Sequence, residues 1–364
     1  MISGKTIYIA HNWINTNVNR QSKALAFAFS KNNKVVFLNA KKNGFNNAVI
    51  NENLTINEWP GKRPVGIKDF IFLFKLMQKQ KPDITISNFG ANNIMILVSW
   101  LFNVKYRCCF HQTIVEAYIE DHNGKLGLIQ KYKILRKKLI YKMATHILTP
   151  SNCGKRDLMK YFNAAEKKIY VFPNTIPISQ QTNTTNNQTI AFIGRLDRTK
   201  GADILVKAFI KIADIFPEAI LLIAGSGDRH EELKNEINNA KLQSRIILEG
   251  NVSYDKVYEI MQSINFLVVP SRADNFPTTV LEAFSVATPV IGSNSGGIPE
   301  MVIDGYNGLL FEKENVDDLA NKLKQMFSNK QERDKMAINA KQLFEQKFST
   351  ETIAERLEIL LENN

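Results

Sequence analysis

The sequence is poor in the residues that build several kinds of site. Its 364 residues include three cysteines, two of them adjacent at Cys108 and Cys109, which excludes a disulfide framework and a cysteine-based zinc site. It also contains no Asp-x-Asp motif, although a divalent cation that bridges phosphates needs carboxylate ligands. We therefore expect a reduced, cytoplasmic protein that requires neither a metal nor another cofactor.

Long apolar runs are also missing. No stretch reaches the roughly 18 residues that span a bilayer, and the longest candidate, Asn93–Val104, is typical of a buried helix. Residues Met1–Lys5 lead directly into a predicted strand and lack the apolar core of a signal peptide. With 44% apolar and 23% charged residues the chain has a globular composition, and its length predicts two domains.

Acidic residues are scarce in the first half of the chain. Residues 1–172 hold 27 of the 47 lysines and arginines but only 9 of the 35 aspartates and glutamates. The formal net charge of +12 therefore arises from this half. Such an asymmetry predicts an anionic partner for the first half, whether a membrane surface, a phosphorylated acceptor or nucleic acid.

Apolar strands and amphipathic helices alternate through both halves, which is the pattern of parallel, doubly wound sheets. In the first half, the predicted strands are Thr6–Ala10, Lys34–Leu38, Ile84–Ser87, Tyr106–Phe110, His146–Thr149 and Ile169–Phe172. The predicted helices there are Arg20–Ser30, Ile67–Gln80, Ala91–Phe102, Leu126–Met143 and Cys153–Phe162.

The domain boundaries follow from a polar stretch without periodicity, Ser179–Gln188, which predicts a linker. We predict an α/β fold of two Rossmann-like, doubly wound domains that face each other across a cleft. The first domain covers residues 1–174, the hinge 175–188 and the second domain 189–345. Residues 346–364 are predicted to form a C-terminal helix that packs back on the first domain.

The most informative motif begins at residue 270 and reads PSRADNFPTTVLEAF. It contains Asp274, directly after a predicted strand, and Glu282, inside the helix that follows. Pro277 suits the first helical position, and the amides of Thr278 and Thr279 would lie at the helix N-terminus, where anions are stabilised. The motif therefore predicts a phosphorylated ligand at the carboxyl edge of a parallel sheet.

A second motif, GRLDRTKG from Gly194 to Gly201, follows the first predicted strand of the second half. Arg195 offers a planar fork of donors and Lys200 a compact charge, and together they suit a diphosphate. The alternative is that both are solvated surface cations, which contribute little.

These motifs, in this order and spacing, resemble the second domain of retaining glycosyltransferases with the GT-B fold, of glycosyltransferase family 4 ("glycosyl transferases group 1"). The resemblance covers roughly residues 189–327. It is carried by Gly194-Arg195-Leu196…Lys200-Gly201, Ala224-Gly225-Ser226-Gly227, Pro270-Ser271…Asp274…Glu282-Ala283, Pro289-Val290, Gly296-Gly297-Ile298-Pro299-Glu300 and Asp304-Gly305…Asn307-Gly308-Leu309.

The resemblance implies that residues 1–174 form the acceptor-side domain and residues 189–345 the nucleotide-sugar-binding domain. It implies that Glu282 binds the ribose of the donor, and that His111 and Asp274 act at the transferred sugar as catalytic residues. The full implied donor-binding set is Gly194, Arg195, Lys200, Asn275, Phe276, Thr278, Thr279 and Glu282.

The chain departs from the common family pattern at this motif. The usual first carboxylate is Glu, followed by Gly-Phe-Gly, whereas this chain has Asp274-Asn275-Phe276-Pro277. This form is similar to a subgroup found among bacterial surface-polysaccharide transferases. Since Pro277 removes a backbone donor, we expect the contacts to the sugar to differ from the common pattern.

The implied reaction moves a sugar from a nucleotide-diphosphate sugar, with UDP-sugar as the expected donor, to a hydroxyl group. The acceptor would be a glycan or a lipid-linked molecule of cell-surface polysaccharide synthesis, and the anomeric configuration would be retained without a metal. One alternative is another GT-B enzyme, such as a sugar-nucleotide epimerase or a phosphorylase. Another is a nucleic-acid binder that uses the basic half, but the chain has no recognisable nucleic-acid module, so we expect no nucleic-acid partner.

The segment Gly124–Met143 combines an apolar stripe with a basic face at helical spacing. Such helices lie on anionic membranes, so we expect a peripheral association with the inner face of the cytoplasmic membrane. The alternative is a helix packed in the core with its basic face in solvent. The predicted membrane or acceptor patch is Lys131, Arg136, Lys137 and Lys138.

Overall fold

The computed structural model describes residues 3–11, 17–39, 48–61, 65–122, 124–179, 183 and 188–362. The chain divides into two compact units. Unit 1 comprises Met1–Ile114, Leu126–Pro177 and Ser349–Asn364, and unit 2 comprises Val115–Lys125 and Ile178–Phe348. Each unit is a sheet of mainly parallel strands with helices, so the prediction of two Rossmann-like α/β domains is confirmed.

The strands and helices are as follows. The strands are β1 (Thr6–Ala10), β2 (Lys34–Asn39), β3 (Ala48–Asn51), β4 (Leu54–Glu58), β5 (Ile84–Ser87), β6 (Tyr106–Phe110), β7 (His146–Thr149), β8 (Ile169–Val171), β9 (Thr189–Ile193), β10 (Ile220–Ala224), β11 (Ile246–Gly250), β12 (Phe266–Val269), β13 (Val290–Ser293) and β14 (Gly308–Phe311). The helices are α1 (Asn17–Phe29), α2 (Ile67–Lys79), α3 (Asn92–Leu101), α4 (Val115–Asp121), α5 (Leu128–Met143), α6 (Asn152–Phe162), α7 (Ala202–Ile212), α8 (His230–Asn239), α9 (Tyr254–Ser263), α10 (Thr278–Ser285), α11 (Val316–Ser328), α12 (Lys330–Lys347) and α13 (Thr350–Glu362).

The sheet of unit 1 has the order β3-β4-β2-β1-β5-β6-β7-β8. All neighbours are parallel except β3 and β4. Ile7 and Ile9 of β1 share a buried cluster with Leu25 of α1 and with Ile353 and Leu357 of α13. Helix α13 is therefore part of the core of unit 1, because its apolar residues cover one face of this sheet.

The sheet of unit 2 has the order β11-β10-β9-β12-β13-β14, and all its strands are parallel. Strand β9 lies between β10 and β12, so the strand order reverses beside it. The carboxyl ends of β9 and β12 therefore flank a topological switch point, where open parallel sheets bind ligands.

Two elements of the first half were not expected from the sequence. The antiparallel pair β3–β4 is short and its first strand is largely exposed, and Asn-rich strands have low β propensity. Helix α4 was also missed, and it belongs to unit 2. The predicted assignment of all residues 1–174 to the first domain is therefore corrected at residues 115–125, which bind side chains of unit 2.

The predicted linker covers residues 175–188. Of these, residues 180–182 and 184–187 lie outside the described ranges. Within it, the side-chain nitrogen Nδ2 of Asn183 lies 3.1 Å from the carbonyl oxygen of Met261 and 2.9 Å from the hydroxyl of Thr288. These contacts tie Asn183 to unit 2. No helix among the described residues is long and apolar enough to span a bilayer.

The end of α7 provides a matched test of the core of unit 2. Ile212 is fully buried, whereas Ile215, one turn further on, is 55% exposed. We expect Ile212→Ala to lower the free energy of unfolding by about 2–5 kcal/mol, because it leaves a cavity in the core. The control Ile215→Ala should change it by no more than about 0.5 kcal/mol. Urea titration of both variants measures the difference, and equal effects would contradict the described packing.

Candidate active site

The loops that follow β9 and β10 in unit 2 meet at the carboxyl edge of its sheet. The amide of Gly194, after β9, donates to the carbonyl of Ala224 at 3.0 Å, and the amide of Leu196 donates to Ser226 at 2.9 Å. A Cβ on Gly225, whose φ is +144°, would lie 1.8 Å from the carbonyl oxygen of Gly194. Only glycine therefore permits this approach of the β9 and β10 loops.

The β9 loop carries two of the predicted donor-binding cations. Arg195 is 67% exposed and forms an ion pair with Asp197 at 2.8 Å. Asp197 in turn accepts a hydrogen bond from the amide of Lys200 at 3.0 Å. Burial raises the pKa of Asp197, although the charge of Arg195 and this hydrogen bond oppose the shift. Asp197 thus links the side chain of Arg195 to the backbone of Lys200 within one loop.

Lys200 and Asp274, which come from different loops, form one ion pair. The Nζ atom of Lys200 lies 2.5 Å from an oxygen of Asp274, and the two side chains are 26% and 13% exposed. Two residues that the sequence assigned to the donor site are thus brought together. The pair lies between the ends of β9 and β12, at the switch point of the sheet.

The position of Asp274 is fixed through its main chain. The amide of Gly297, after β13, donates to the carbonyl of Asp274 at 2.8 Å. Gly296 has a φ of +60°, and a Cβ there would lie 2.0 Å from the same carbonyl oxygen. The paired glycines therefore allow the β13 loop to support the residue that follows β12.

Helix α10 begins beside this loop. Pro277 is the residue before the first helical position, one place earlier than predicted, and the helix runs from Thr278 to Ser285. Thr278 and Thr279 are partly exposed, whereas Glu282 is fully buried.

Asn275 and Phe276, which the sequence assigned to donor binding, are also buried. The ring of Phe276 packs edge-on against Phe348, with 5.7 Å between centroids. In this arrangement Phe276 contributes to the core of unit 2, and its role at the donor stays a prediction.

Arg272 is the site residue that the sequence reasoning missed. Its guanidinium is buried and donates two hydrogen bonds to the carboxylate of Asp203, at 2.8 and 2.7 Å. It also donates to Glu314 at 2.5 Å and to the carbonyl of Arg198 at 2.7 Å. The only sequence signal was its place in the motif that begins at residue 270, two residues before Asp274.

The charges around Arg272 stabilise one another. Burial opposes the charged form of Asp203, but the hydrogen bond and charge of Arg272 outweigh it and lower the pKa of Asp203. The hydrogen bond from Arg272 is also the main cause that lowers the pKa of Glu314. Bidentate pairs of this kind are strong and fix geometry.

The main chain of Arg272 joins two further loops. Its amide donates to the carbonyl of Thr199 in the β9 loop at 2.7 Å, and its carbonyl accepts from the hydroxyl of Ser295 at 2.6 Å. Arg272 therefore lies at the centre of the loops that carry Lys200 and Asp274.

His111 lies in unit 1 and is fully buried. Its Nδ1 lies 2.9 Å from the hydroxyl of Tyr141 and its Nε2 lies 3.2 Å from the carboxylate of Asp157. Burial lowers the pKa of His111, against the effect of Asp157, which favours a neutral imidazole. This geometry favours a structural role for His111 in the core of unit 1. Its catalytic role stays a prediction.

Helix α5 has two different faces. Its exposed apolar residues are between 56% and 83% accessible and are Leu128, Ile129, Tyr132, Leu135 and Leu139. The alternative of a core-packed apolar stripe is therefore wrong for these five residues, whereas Ile140 of the same helix is buried. Lys131 and Arg136 are exposed and Lys138 is partly exposed beside that stripe.

Lys137 departs from the predicted patch. It lies on the side of α5 that faces the core of unit 1, with Nζ 5.7 Å from the ring centre of Phe162. Burial lowers its pKa, against the charge of Asp157. Lys137 is partly exposed, as Lys138 is, but helical spacing turns it away from Leu135 and Leu139, so it lies on a different side of α5 from the exposed stripe.

Within the described part of the chain, no group of three or more His, Cys, Asp or Glu side chains could hold a metal ion. The expectation of a metal-independent reaction stays a prediction.

Two family models match the chain. Residues 174–343 match glycosyl transferases group 1, and residues 25–180 match glycosyltransferase family 4. An uncharacterized glycosyltransferase of Methanocaldococcus jannaschii, MJ1178, is 38% identical over 142 residues, which are 39% of this chain and 39% of that protein. Another from the same organism, MJ1059, is 26% identical over 262 residues, which are 67% of this chain and 63% of that protein.

The fold is shared with solved structures. HepE from Anabaena, solved in complex with UDP, has a TM-score of 0.81 at 15% identity, with 99% of this chain and 100% of that chain covered. The likeness shows that the chain has the GT-B fold of two Rossmann-like domains. The chain belongs to glycosyltransferase family 4. It spans 39% and 63% of the lengths of the two curated relatives described above.

The Arg272–Asp203 pair gives a stability prediction. Arg272→Met should lower the free energy of unfolding by about 3–5 kcal/mol, because it leaves the buried carboxylate of Asp203 without its main partner. The double variant Arg272→Met with Asp203→Leu should recover much of this loss, since it removes both charges. Chemical denaturation at neutral pH makes the comparison, and a double variant less stable than the single one would contradict it.

Proposed function

We propose that the protein transfers a sugar from a nucleotide-diphosphate sugar, with UDP as the nucleotide, to a hydroxyl of a glycan or lipid-linked acceptor. The observation that carries the proposal is the Lys200–Asp274 ion pair at the switch point of unit 2. A cation, a carboxylate and the start of α10 adjoin there, which suits a ligand with a charged diphosphate and a neutral sugar. Family membership supports the same reaction.

The charges of the described residues indicate which part of the donor each of them binds. Lys200 and Arg195 bind the diphosphate, together with the N-terminus of α10, where an anion is stabilised. When the diphosphate binds Lys200, it replaces Asp274 as the partner of that cation. Asp274 then accepts hydrogen bonds from the transferred sugar, and Glu282 accepts those of the ribose.

The reaction breaks the bond between the anomeric carbon and the departing phosphate oxygen. The acceptor oxygen bonds to the anomeric carbon on the same face, and its proton passes to the departing phosphate, so the configuration is retained. The contribution of Lys200 and Arg195 is electrostatic, since negative charge develops on the leaving diphosphate.

Support for UDP comes from the HepE structure of Anabaena, which was solved in complex with UDP. Isothermal titration calorimetry with UDP-, GDP- and ADP-sugars tests the choice of nucleotide. Binding of UDP-sugars alone would support the proposal, and the absence of binding to all three would refute it.

Lys200 provides the catalytic test. We expect Lys200→Ala to reduce kcat/KM by the equivalent of about 2–4 kcal/mol, the loss typical of one preorganised donor of charge stabilisation. The matched control Lys207→Ala removes an exposed lysine on α7 and should leave the rate unchanged. Release of UDP in a coupled assay measures both, and a near-wild-type rate in Lys200→Ala would overturn the assignment.

We also propose that the exposed face of α5 lies on an anionic membrane, which suits a lipid-linked acceptor in cell-surface polysaccharide synthesis at the inner face of the cytoplasmic membrane. The helix contains six basic residues and no acidic one. Its exposed leucines and Tyr132 supply apolar area, and the cations beside them attract anionic lipids. A nucleic acid would not need the apolar stripe.

Helix α3 adds exposed apolar residues to the proposed membrane surface. Arg107 donates to the carbonyl of Met143 at the end of α5 and to that of Val104 after α3. The C-terminal ends of the two helices therefore adjoin. Trp100 and Leu101, at the end of α3, are 50% and 49% exposed, and tryptophan is favoured at membrane interfaces.

Vesicle flotation tests the membrane face. The protein should float with vesicles that contain phosphatidylglycerol, and the charge reversals Arg136→Glu, Lys138→Glu and Lys142→Glu together should leave it unbound, since each cation contributes about 1 kcal/mol. The control Lys234→Glu, Lys335→Glu and Lys347→Glu reverses three exposed lysines of unit 2 and should still float. Equal flotation of both triple variants would refute the proposal.

A further inference from the structure

Helix α4 belongs to a different unit from the residues on either side of it. Residues on either side of it, up to Ile114 and from Leu126, belong to unit 1, whereas Val115–Lys125 belongs to unit 2. The helix thus brings side chains from the first half of the sequence to the β9 loop that contains Lys200.

Asp121, at the end of α4, binds the residue next to Lys200. The amide of Thr199 donates to the Asp121 carboxylate at 3.2 Å, and the Thr199 hydroxyl is also hydrogen-bonded to that carboxylate. The same hydroxyl lies 3.2 Å from the carbonyl of Ala117. On its other side, the carbonyl of Thr199 accepts the amide of Arg272. Both polar groups of the Thr199 backbone are therefore held.

A second contact fixes α4 itself. Lys313 lies 2.7 Å from Glu120 and 3.6 Å from Glu116. Burial opposes the charge of Lys313, but the hydrogen bond with Glu120 outweighs it and raises the pKa of Lys313. Lys313 precedes Glu314, the partner of Arg272. Helix α4 is therefore attached to the same network that holds the Asp274 loop.

We propose that Asp121 is a positioning residue for the diphosphate-binding loop, an inference that rests on the proposed function. A lysine side chain is long and flexible, so the direction of Lys200 depends on how firmly its backbone is fixed. Asp121 holds Thr199 from one side, Arg272 holds it from the other, and the amide of Lys200 is bound to Asp197. The three contacts aim Lys200 at the position of Asp274.

The direction in which UDP affinity changes distinguishes a positioning role of Asp121 from a purely electrostatic one. Asp121 is an anion near the proposed site of a diphosphate, so removal of its charge alone would strengthen UDP binding. Loss of its hydrogen bonds to Thr199 would instead weaken UDP binding, because Lys200 would no longer be preorganised.

The experiment compares three variants of the full chain. Asp121→Ala removes both effects, and Asp121→Asn removes the charge but keeps an oxygen that accepts the Thr199 amide. Tyr118→Ala, which truncates an exposed side chain, is a control on the same helix. Calorimetry with UDP should show about tenfold weaker binding for Asp121→Ala, the scale of one hydrogen bond to a charged group. Asp121→Asn should bind UDP at least as tightly as the wild type, and Tyr118→Ala should be unchanged.

Hydrogen exchange separates this inference from the proposed function. In Asp121→Ala, the amide of Thr199 should exchange faster than in the wild type, whether or not UDP binds. If wild-type protein failed to bind UDP, the proposed function would fall while faster exchange still supported the positioning of Thr199. Unchanged exchange at Thr199, or UDP binding by Asp121→Ala as tight as that of the wild type, would overturn the role of Asp121.

Discussion

The paired charge of Arg272 is the interaction on which the candidate site depends. A buried guanidinium is stable only when its donors are satisfied, and here Asp203, Glu314 and a backbone carbonyl satisfy them. These partners come from α7, from the loop after β14 and from the loop after β9. One side chain therefore fixes the relative positions of α7 and two loops, and Asp274 follows it by two residues.

The site is built from alternating charges rather than from a patch of one sign. Arg195 pairs with Asp197, Lys200 with Asp274 and Arg272 with Asp203. The first two pairs are partly exposed, so an anionic ligand can compete for their cations, whereas the third is buried and serves the framework. Among these three pairs, exposure thus distinguishes the cations suited to a ligand from the one that holds the loops in place.

Much of the site was predictable from the sequence because its residues follow strand ends. Gly194, Arg195 and Lys200 follow β9, and Asp274 follows β12, so the parallel topology alone brings them to one edge. Arg272 and Asp121 were not predictable, since their partners lie 69 and 78 positions away in the chain. The spacing of α5 likewise indicated an apolar stripe without telling which side of the helix the fold would bury.

The sequence by itself determined the alternation of strands and helices, the two Rossmann-like domains and the loops that bear the motifs, because periodicity and turn residues act locally. Only the tertiary structure decided that residues 115–125 join unit 2, that His111 is enclosed by Tyr141 and Asp157, and that Lys137 faces the core of unit 1. These outcomes depend on contacts between distant segments, and long-range packing and charge pairing appear in no local pattern of residues.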